Sequence, residues 1–299
     1  PLLLQAAQLA HYYREQGAES ALLSEVERRA YGWLCSIALT EDDYRTARDY
    51  ASQSLQMCRR LGKLTGEMVG LTDLSDVARA VGDYAAAQQY CGQALALARQ
   101  LGFRWGELVT LVDLGNMVRL QGNYPQAQSY MEEGLALAQE VGQPLQEAHA
   151  VRNLGHLNLF LGNYIMAHKW LSDYFHILNR LELPTRELFL GLLSRALLAY
   201  FTGDQEQALM DAKEGCRMAQ RLYGRSSQAA AWVILGHVHL SLQHWAEAQQ
   251  VYTQAAQAYQ TLGLPNLAAE PQAGLAQLAY LQGDYATARS LIEPILPLL

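Results

Sequence analysis

Residues 111–138 read LVDLGNMVRLQGNYPQAQSYMEEGLALA, and this stretch decides the fold. Leu111, Leu114, Gly115 and Val118 fall at i, i+3, i+4 and i+7, one face of a helix. Gly122 supplies the left-handed residue that a helix C-terminus favours. Asn123 follows as the N-cap of a second helix. Ala127, Met131, Gly134 and Leu135 share one face of that helix. Small residues at 115, 127 and 134 let the two helices approach closely. The stretch therefore predicts helix, tight turn, helix.

The same turn recurs along the whole chain. It reads Asp43-Tyr44, Gly82-Asp83-Tyr84, Gly122-Asn123-Tyr124, Gly162-Asn163-Tyr164, Gly203-Asp204-Gln205, Gln243-His244-Trp245 and Gly283-Asp284-Tyr285. From Tyr44 the steps are 40, 40, 40, 41, 40 and 40 residues. An alanine keeps the same beat at 47, 87, 127, 167, 208, 248 and 288. Leu61-Gly62, Leu101-Gly102, Val141-Gly142 and Leu262-Gly263 punctuate the joints between repeats. Seven repeats follow, with turns expected near 42, 82, 122, 162, 203, 243 and 283. Pro144 and Pro184 are placed to begin first helices. The extra residue in repeat five makes its first helix longer or bulged.

The Leu-Gly, small Ala, then bulky pattern resembles tetratricopeptide (TPR) repeats over nearly the whole length. The resemblance implies an all-α fold, a right-handed α-solenoid of about seven helix-turn-helix repeats with the first helices lining the inside. Residues 1–19 read as an N-terminal adaptor helix and 20–299 as one elongated superhelical array. The long period and the triplets Leu114-Gly115-Asn116, Leu154-Gly155-His156 and Leu235-Gly236-His237 narrow the likeness. They resemble Leu-Gly-Asn-repeat adaptors and the sensor regions of bacterial STAND signalling ATPases and MalT-like regulators. The catalytic parts of such regulators are not in this sequence, which has no Gly-x4-Gly-Lys-Ser/Thr stretch.

Composition limits the alternatives. Of 299 residues, 51% are hydrophobic and 17% charged, with a net charge of −7. That balance argues against a nucleic-acid surface, which needs a basic stripe. No apolar run reaches the roughly 18 residues of a membrane span. Cys35, Cys58, Cys91 and Cys216 lack paired spacing; Cys35 and Cys91 fall in inter-helix packing positions, which reads as small buried thiols of a cytoplasmic protein and not as disulfides. The chain closes in LIEPILPLL, within the last second helix, leaving Ile292, Ile295 and Leu296 uncovered. That reads as a fragment of a longer chain, with possible self-association through the uncapped helix.

The face opposite the packing stripe is where binding is expected. It carries Asp73 and Asp76 in repeat two and Asp113, Asn116 and Arg119 in repeat three. Repeat four adds His149, Arg152, Asn153 and His156; repeats five and six add Leu193, Leu197, Tyr200 and His237. In TPR proteins that face lines a concave groove. The polar part reads either as a ligand clamp or as a solvated face. The apolar part reads either as a partner site or as a strip the array buries itself. Glu27, Glu67, Glu107, Glu147 and Glu187 recur near first-helix N-termini, where they complement the helix dipole.

No metal, cofactor or catalytic constellation emerges. His237 and His239 point about 200° apart on a helix, and His149 and His156 stand about 10 Å apart along theirs. No HExxH or CxxC motif occurs, so no enzyme is expected. Two functions are weighed. One is a scaffold whose groove takes a protein or peptide segment, from a partner or from other domains of the same polypeptide, as the sensor or interaction arm of a signalling protein. The other is a small-molecule inducer sensor of a STAND-type transcription regulator.

Overall fold

One residue ends one helix and caps the next at five of the seven predicted turns. In the computed structural model, Asp83 donates its backbone N–H to the Ala78 carbonyl at 2.9 Å, closing the helix before it. Its side chain then accepts from the Ala86 N–H at 3.0 Å, capping the helix after it. Asp43, Asn123, Asp204 and Asp284 repeat both roles. The preceding residue must be left-handed for this geometry. Gly82, Gly122, Gly162, Gly203 and Gly283 have φ between 75° and 83°. Asp42 at 60° and Gln243 at 59° adopt it without being glycine. All seven expected turns lie where the period puts them.

The structure describes residues 21–181 and 185–298, together with Gln5, Gln8, Leu9, His11 and Tyr12. The 1–19 adaptor falls mostly outside the described residues, as does the Pro184 helix start. The described residues form fourteen α-helices and a terminal 3-10 turn, with no strand among them. They group into two compact units, residues 1–150 and 151–299.

The N-terminal unit holds α1 (Ala21–Thr40), α2 (Tyr44–Arg60), α3 (Leu64–Ala80), α4 (Tyr84–Gln100), α5 (Arg104–Leu120) and α6 (Tyr124–Val141). It also holds the start of α7 (Pro144–Phe160), which Pro144 opens as expected. From α1 to α6 each helix packs on its chain neighbour. The first helices of successive repeats also touch, α1 on α3 and α3 on α5. The rhythmic alanines explain this closeness: Ala47, Ala87 and Ala127 are fully buried. Gly115 marks a close crossing. A Cβ there would stand 2.7 Å from Met131 Cγ and 3.3 Å from the Ala127 carbonyl oxygen.

The C-terminal unit holds the rest of α7, then α8 (Tyr164–Leu181), α9 (Thr185–Thr202), α10 (Gln205–Leu222) and α11 (Arg225–Ser241). Next come α12 (Trp245–Thr261), α13 (Pro265–Leu281), α14 (Tyr285–Ile292) and the 3-10 turn Glu293–Leu298. The extra residue of repeat five lengthens α9 to 18 residues, against 17 for α11 and α13. Tyr252 of α12 is buried between α11 and α13. Its ring would lie 2.5 Å from a Cβ on either Gly236 or Gly274, so only two glycines admit it.

Three expectations need correction here. The last helix stops at Ile292 rather than running on, and Pro294 and Pro297 account for it, since proline has no N–H to continue the ladder. The 3-10 turn folds Ile295 inward to 3% exposure, leaving Leu296 at 60% and Ile292 half-buried, so the strip is not uncovered as a whole. Glu27 lies beyond the first turn of α1 and is buried, with His11 Nδ1 at 3.2 Å, so it is no dipole partner. Glu67, Glu107 and Glu147 do sit in first turns, and each also accepts from a side chain eight residues back, Arg59, Arg99 and Gln139.

Candidate functional site

The N-terminal unit presents the same motif twice, 40 residues apart. On α3, Asp73, Asp76 and Arg79 stand on one face; on α5, Asp113, Asn116 and Arg119 take the same register. Each helix closes one internal pair. Arg79 Nη2 donates to Asp76 Oδ1 at 2.9 Å, and Arg119 Nη2 donates to Asn116 Oδ1 at 2.9 Å. Asp76 and Arg79 keep 44% and 40% of their side-chain surface exposed, so this face stays open.

Negative charge accumulates there. Burial, then the Asp76 charge, pushes the Asp73 carboxyl up to about 7, against the pull of Arg28. Burial and Asp76 likewise push Asp113 up to about 7, against Arg79. Arg28 itself is held by Glu25 through two hydrogen bonds of 3.0 and 2.7 Å. The Cys35 thiol is pushed up to about 12, first by burial and then by Asp73 and Asp76. Asp73 Oδ2 is closed off from solvent and meets no hydrogen-bond partner among the described residues. His149, on the first turns of α7, is half-buried in this unit.

In the C-terminal unit the corresponding register is largely used for packing. His156 Nε2 lies 2.6 Å from Ser194 Oγ, and Ser194 donates its own proton to the Leu190 carbonyl at 2.8 Å. The histidine is therefore the donor. Ser194 is 1% exposed, so this Ser–His contact is a buried packing bond and no nucleophile–base pair. His237 accepts at Nδ1 from the Tyr252 hydroxyl at 2.7 Å and donates from Nε2 to Glu270 at 3.2 Å. Burial pushes the Tyr252 hydroxyl up, which keeps its proton in that bond. The Tyr200 ring packs beside His237, centroids 6.0 Å apart.

Several expected ligand residues are occupied by the protein itself. Asn153 is 4% exposed, whereas Arg152 beside it is half-buried. Leu193 is 8% exposed among Phe189, Leu192, Met218 and Ala231, with its tip against Gly215 of α10. Leu197 and Tyr200 are partly buried against neighbouring core clusters. The apolar strip is thus mostly covered by its own helices, because the following repeats lie on the face that a single-helix reading leaves open.

The sequence reading missed a second polar feature. Arg195 grips Asp211 through Nε and Nη2, at 2.7 and 2.8 Å, and lies over the Phe175 ring at 4.5 Å. The two are 16 residues apart on different helices, and no local motif announces them. All four cysteines are free thiols, three of them buried, as their spacing indicated. No group of three or more His, Cys, Asp or Glu side chains among the described residues is placed to hold a metal ion. Among the described residues no helix is long and apolar enough to cross a membrane.

Comparison with known proteins agrees with the turn-and-alanine pattern. Tetratricopeptide-repeat family models match residues 106–179 and 231–265. No curated protein matches the chain by sequence. Among solved structures, the Rap conjugation gene regulator of the plasmid pLS20, in complex with the Phr peptide, aligns at a TM-score of 0.72 and 13% identity. The alignment covers 91% of this chain and 73% of that one. Aspartyl phosphate phosphatase F from Bacillus subtilis aligns at 0.67 and 12%, covering 93% and 70%. NprR in complex with its cognate peptide NprX aligns at 0.61 and 14%, covering 89% and 76%. At such identities the likeness is one of fold. The chain is a tetratricopeptide-repeat protein of the all-α helical-repeat solenoid class.

Proposed function

We propose that this array is a scaffold that binds a protein or peptide segment on its first-helix face, acting by binding and not by catalysis. It would serve as the sensor or interaction arm of a larger signalling or regulatory protein. The observation that carries the reading is the doubled motif of α3 and α5. Asp76, Arg79, Asn116 and Arg119 keep the same register over 40 residues, and the Asp76–Arg79 pair stays open to solvent. Evenly spaced donors and acceptors suit an extended chain, whose backbone repeats its own amides at a fixed rise. Arginine adds a fork that can take a carboxylate with two bonds. Solved relatives of the same fold, the Rap regulator and NprR, are complexes with peptides, which supports the reading by analogy of architecture.

The test is a displayed random peptide library panned on the purified protein. Enriched peptides should bind the Asp76→Ala, Asn116→Ala double variant at least about tenfold more weakly. They should bind a Gln128→Ala control, exposed on a second helix, as they bind wild type. Circular dichroism checks that the variants fold. Equal binding to all three proteins would move the site off this face.

A further inference from the structure

We infer that the cavity between α8 and α9 of the C-terminal unit is a binding site for a small organic anion, a carboxylate carried on an apolar body. The site is separate from the first-helix face of α3 and α5 and stands or falls apart from it.

The cavity has a volume of about 410 Å3, within the range of small-molecule sites. Leu171, Phe175 and Leu198 give it an apolar lining, and His176, Asn179 and Arg195 supply polar groups. No carboxylate lines it, although the chain carries a net charge of −7. Arg195 is fixed before any ligand arrives. Its Nε and Nη2 are bonded to Asp211, and its Cζ stands 4.5 Å from the centre of the Phe175 ring. One edge and one face of the guanidinium are thus held. Nη1 makes no hydrogen bond among the described residues, and 38% of the side-chain surface stays exposed. Nη1 therefore keeps two N–H donors for a ligand. His176 and Asn179, three residues apart and exposed on α8, add hydrogen-bonding groups from the other wall. Donors held in place in advance spare a ligand the cost of ordering them. Asp211 offsets the arginine's charge at long range, so selectivity comes from these placed hydrogen bonds. A carboxylate oxygen gains more from them than a neutral amide oxygen does. A bare inorganic anion is the poorer occupant, because it buries nothing apolar against Leu171, Phe175 and Leu198.

The probes are phenylacetate and hexanoate with their matched amides, phenylacetamide and hexanamide, each titrated onto the full chain by saturation-transfer NMR. Sulfate is added as a competitor. The two acids should bind wild type about fivefold or more tightly than their amides, and an equal concentration of sulfate should not displace them. Two double variants locate the site. His176→Ala with Asn179→Ala removes only exposed groups and should fold. Arg195→Leu with Asp211→Leu removes the guanidinium without stranding its buried partner. Circular dichroism checks both. The first should weaken the acids about threefold or more, and the second should cut the acid-over-amide preference to about twofold or less. Equal binding of acids and amides to wild type overturns the inference, as does displacement by sulfate, acid binding unchanged in the His176 and Asn179 variant, or no saturation transfer from any probe at millimolar concentration. Each of these results leaves peptide binding on the first-helix face standing.

Discussion

Arg195 and Asp211 are joined by two parallel hydrogen bonds, of 2.7 and 2.8 Å, and the acid is 1% exposed while the arginine keeps 38% of its side-chain surface. The pair ties α9 to α10, the two helices of repeat five. Its halves are unequal. Removing Asp211 leaves a cation that water can reach, whereas removing Arg195 strands a buried carboxylate.

Arg195→Leu should therefore destabilise the protein more than Asp211→Leu. A loss of about 2–4 kcal/mol is expected for the first and about 1–2 for the second. The double variant should recover part of the larger loss. Urea melts of the three variants measure this, and equal losses for the two single changes would show that the pair is not buried as described.

Gly115→Leu should overpack the α5–α6 crossing, where a Cβ already meets Met131 Cγ at 2.7 Å. A cost of about 1–3 kcal/mol is expected, despite leucine's better helix propensity. Thermal melts of the variant at wild-type stability would contradict the register of the two helices.

Gln243→Gly should stabilise. Gln243 holds φ at 59° where six of the seven equivalent turns use Gly or Asp. Relief of left-handed strain is worth about 1–2 kcal/mol, and glycine's extra unfolded freedom takes back a little under 1. A net gain of about 0.5–1 kcal/mol is expected by denaturant melt. The reciprocal change Gly122→Ala should lose a similar amount.

Asp73→Asn should change how stability depends on pH. The folded-state carboxyl titrates at about 7, above its ordinary 3.8. Between those values the folded protein holds a proton that the unfolded chain has released, so the group's contribution to stability falls as pH rises through about 4 to 7. Asparagine has no such dependence. The variant should match wild type near pH 4 and exceed it near pH 8, by about 1–3 kcal/mol once solvent screening is allowed for. A constant difference across that window would show that Asp73 titrates normally.

Sequence legibility followed the range of the interactions. Gly122, Asn123 and Ala127 report their roles within one turn of helix, so the turns and the buried alanines could be read residue by residue. Asn153 and Leu193 could not, because their burial depends on neighbouring helices, which a single-helix face does not record. The register of Asp73, Asp76 and Asp113 was legible; the raised protonation of Asp73 and Asp113 was not, since it needs burial by neighbouring helices and then the Asp76 charge beside them. The stop at Ile292 did have a signal, Pro294, which the run of core-spaced isoleucines outweighed. Arg195 and Asp211 had none.

The dual-purpose residue at most of the turns makes the architecture divisible. Asp83 closes one helix and caps the next, and Asn123 does the same one period later. Excising residues 84–123 would join Asp83 directly to Tyr124, recreating a Gly-Asp-Tyr corner from parts already present. Duplicating that block would do likewise. A gene encoding such a chain can thus change length by whole cassettes without inventing a junction, and an altered number of cassettes would shift the spacing of recognition side chains while leaving every corner intact.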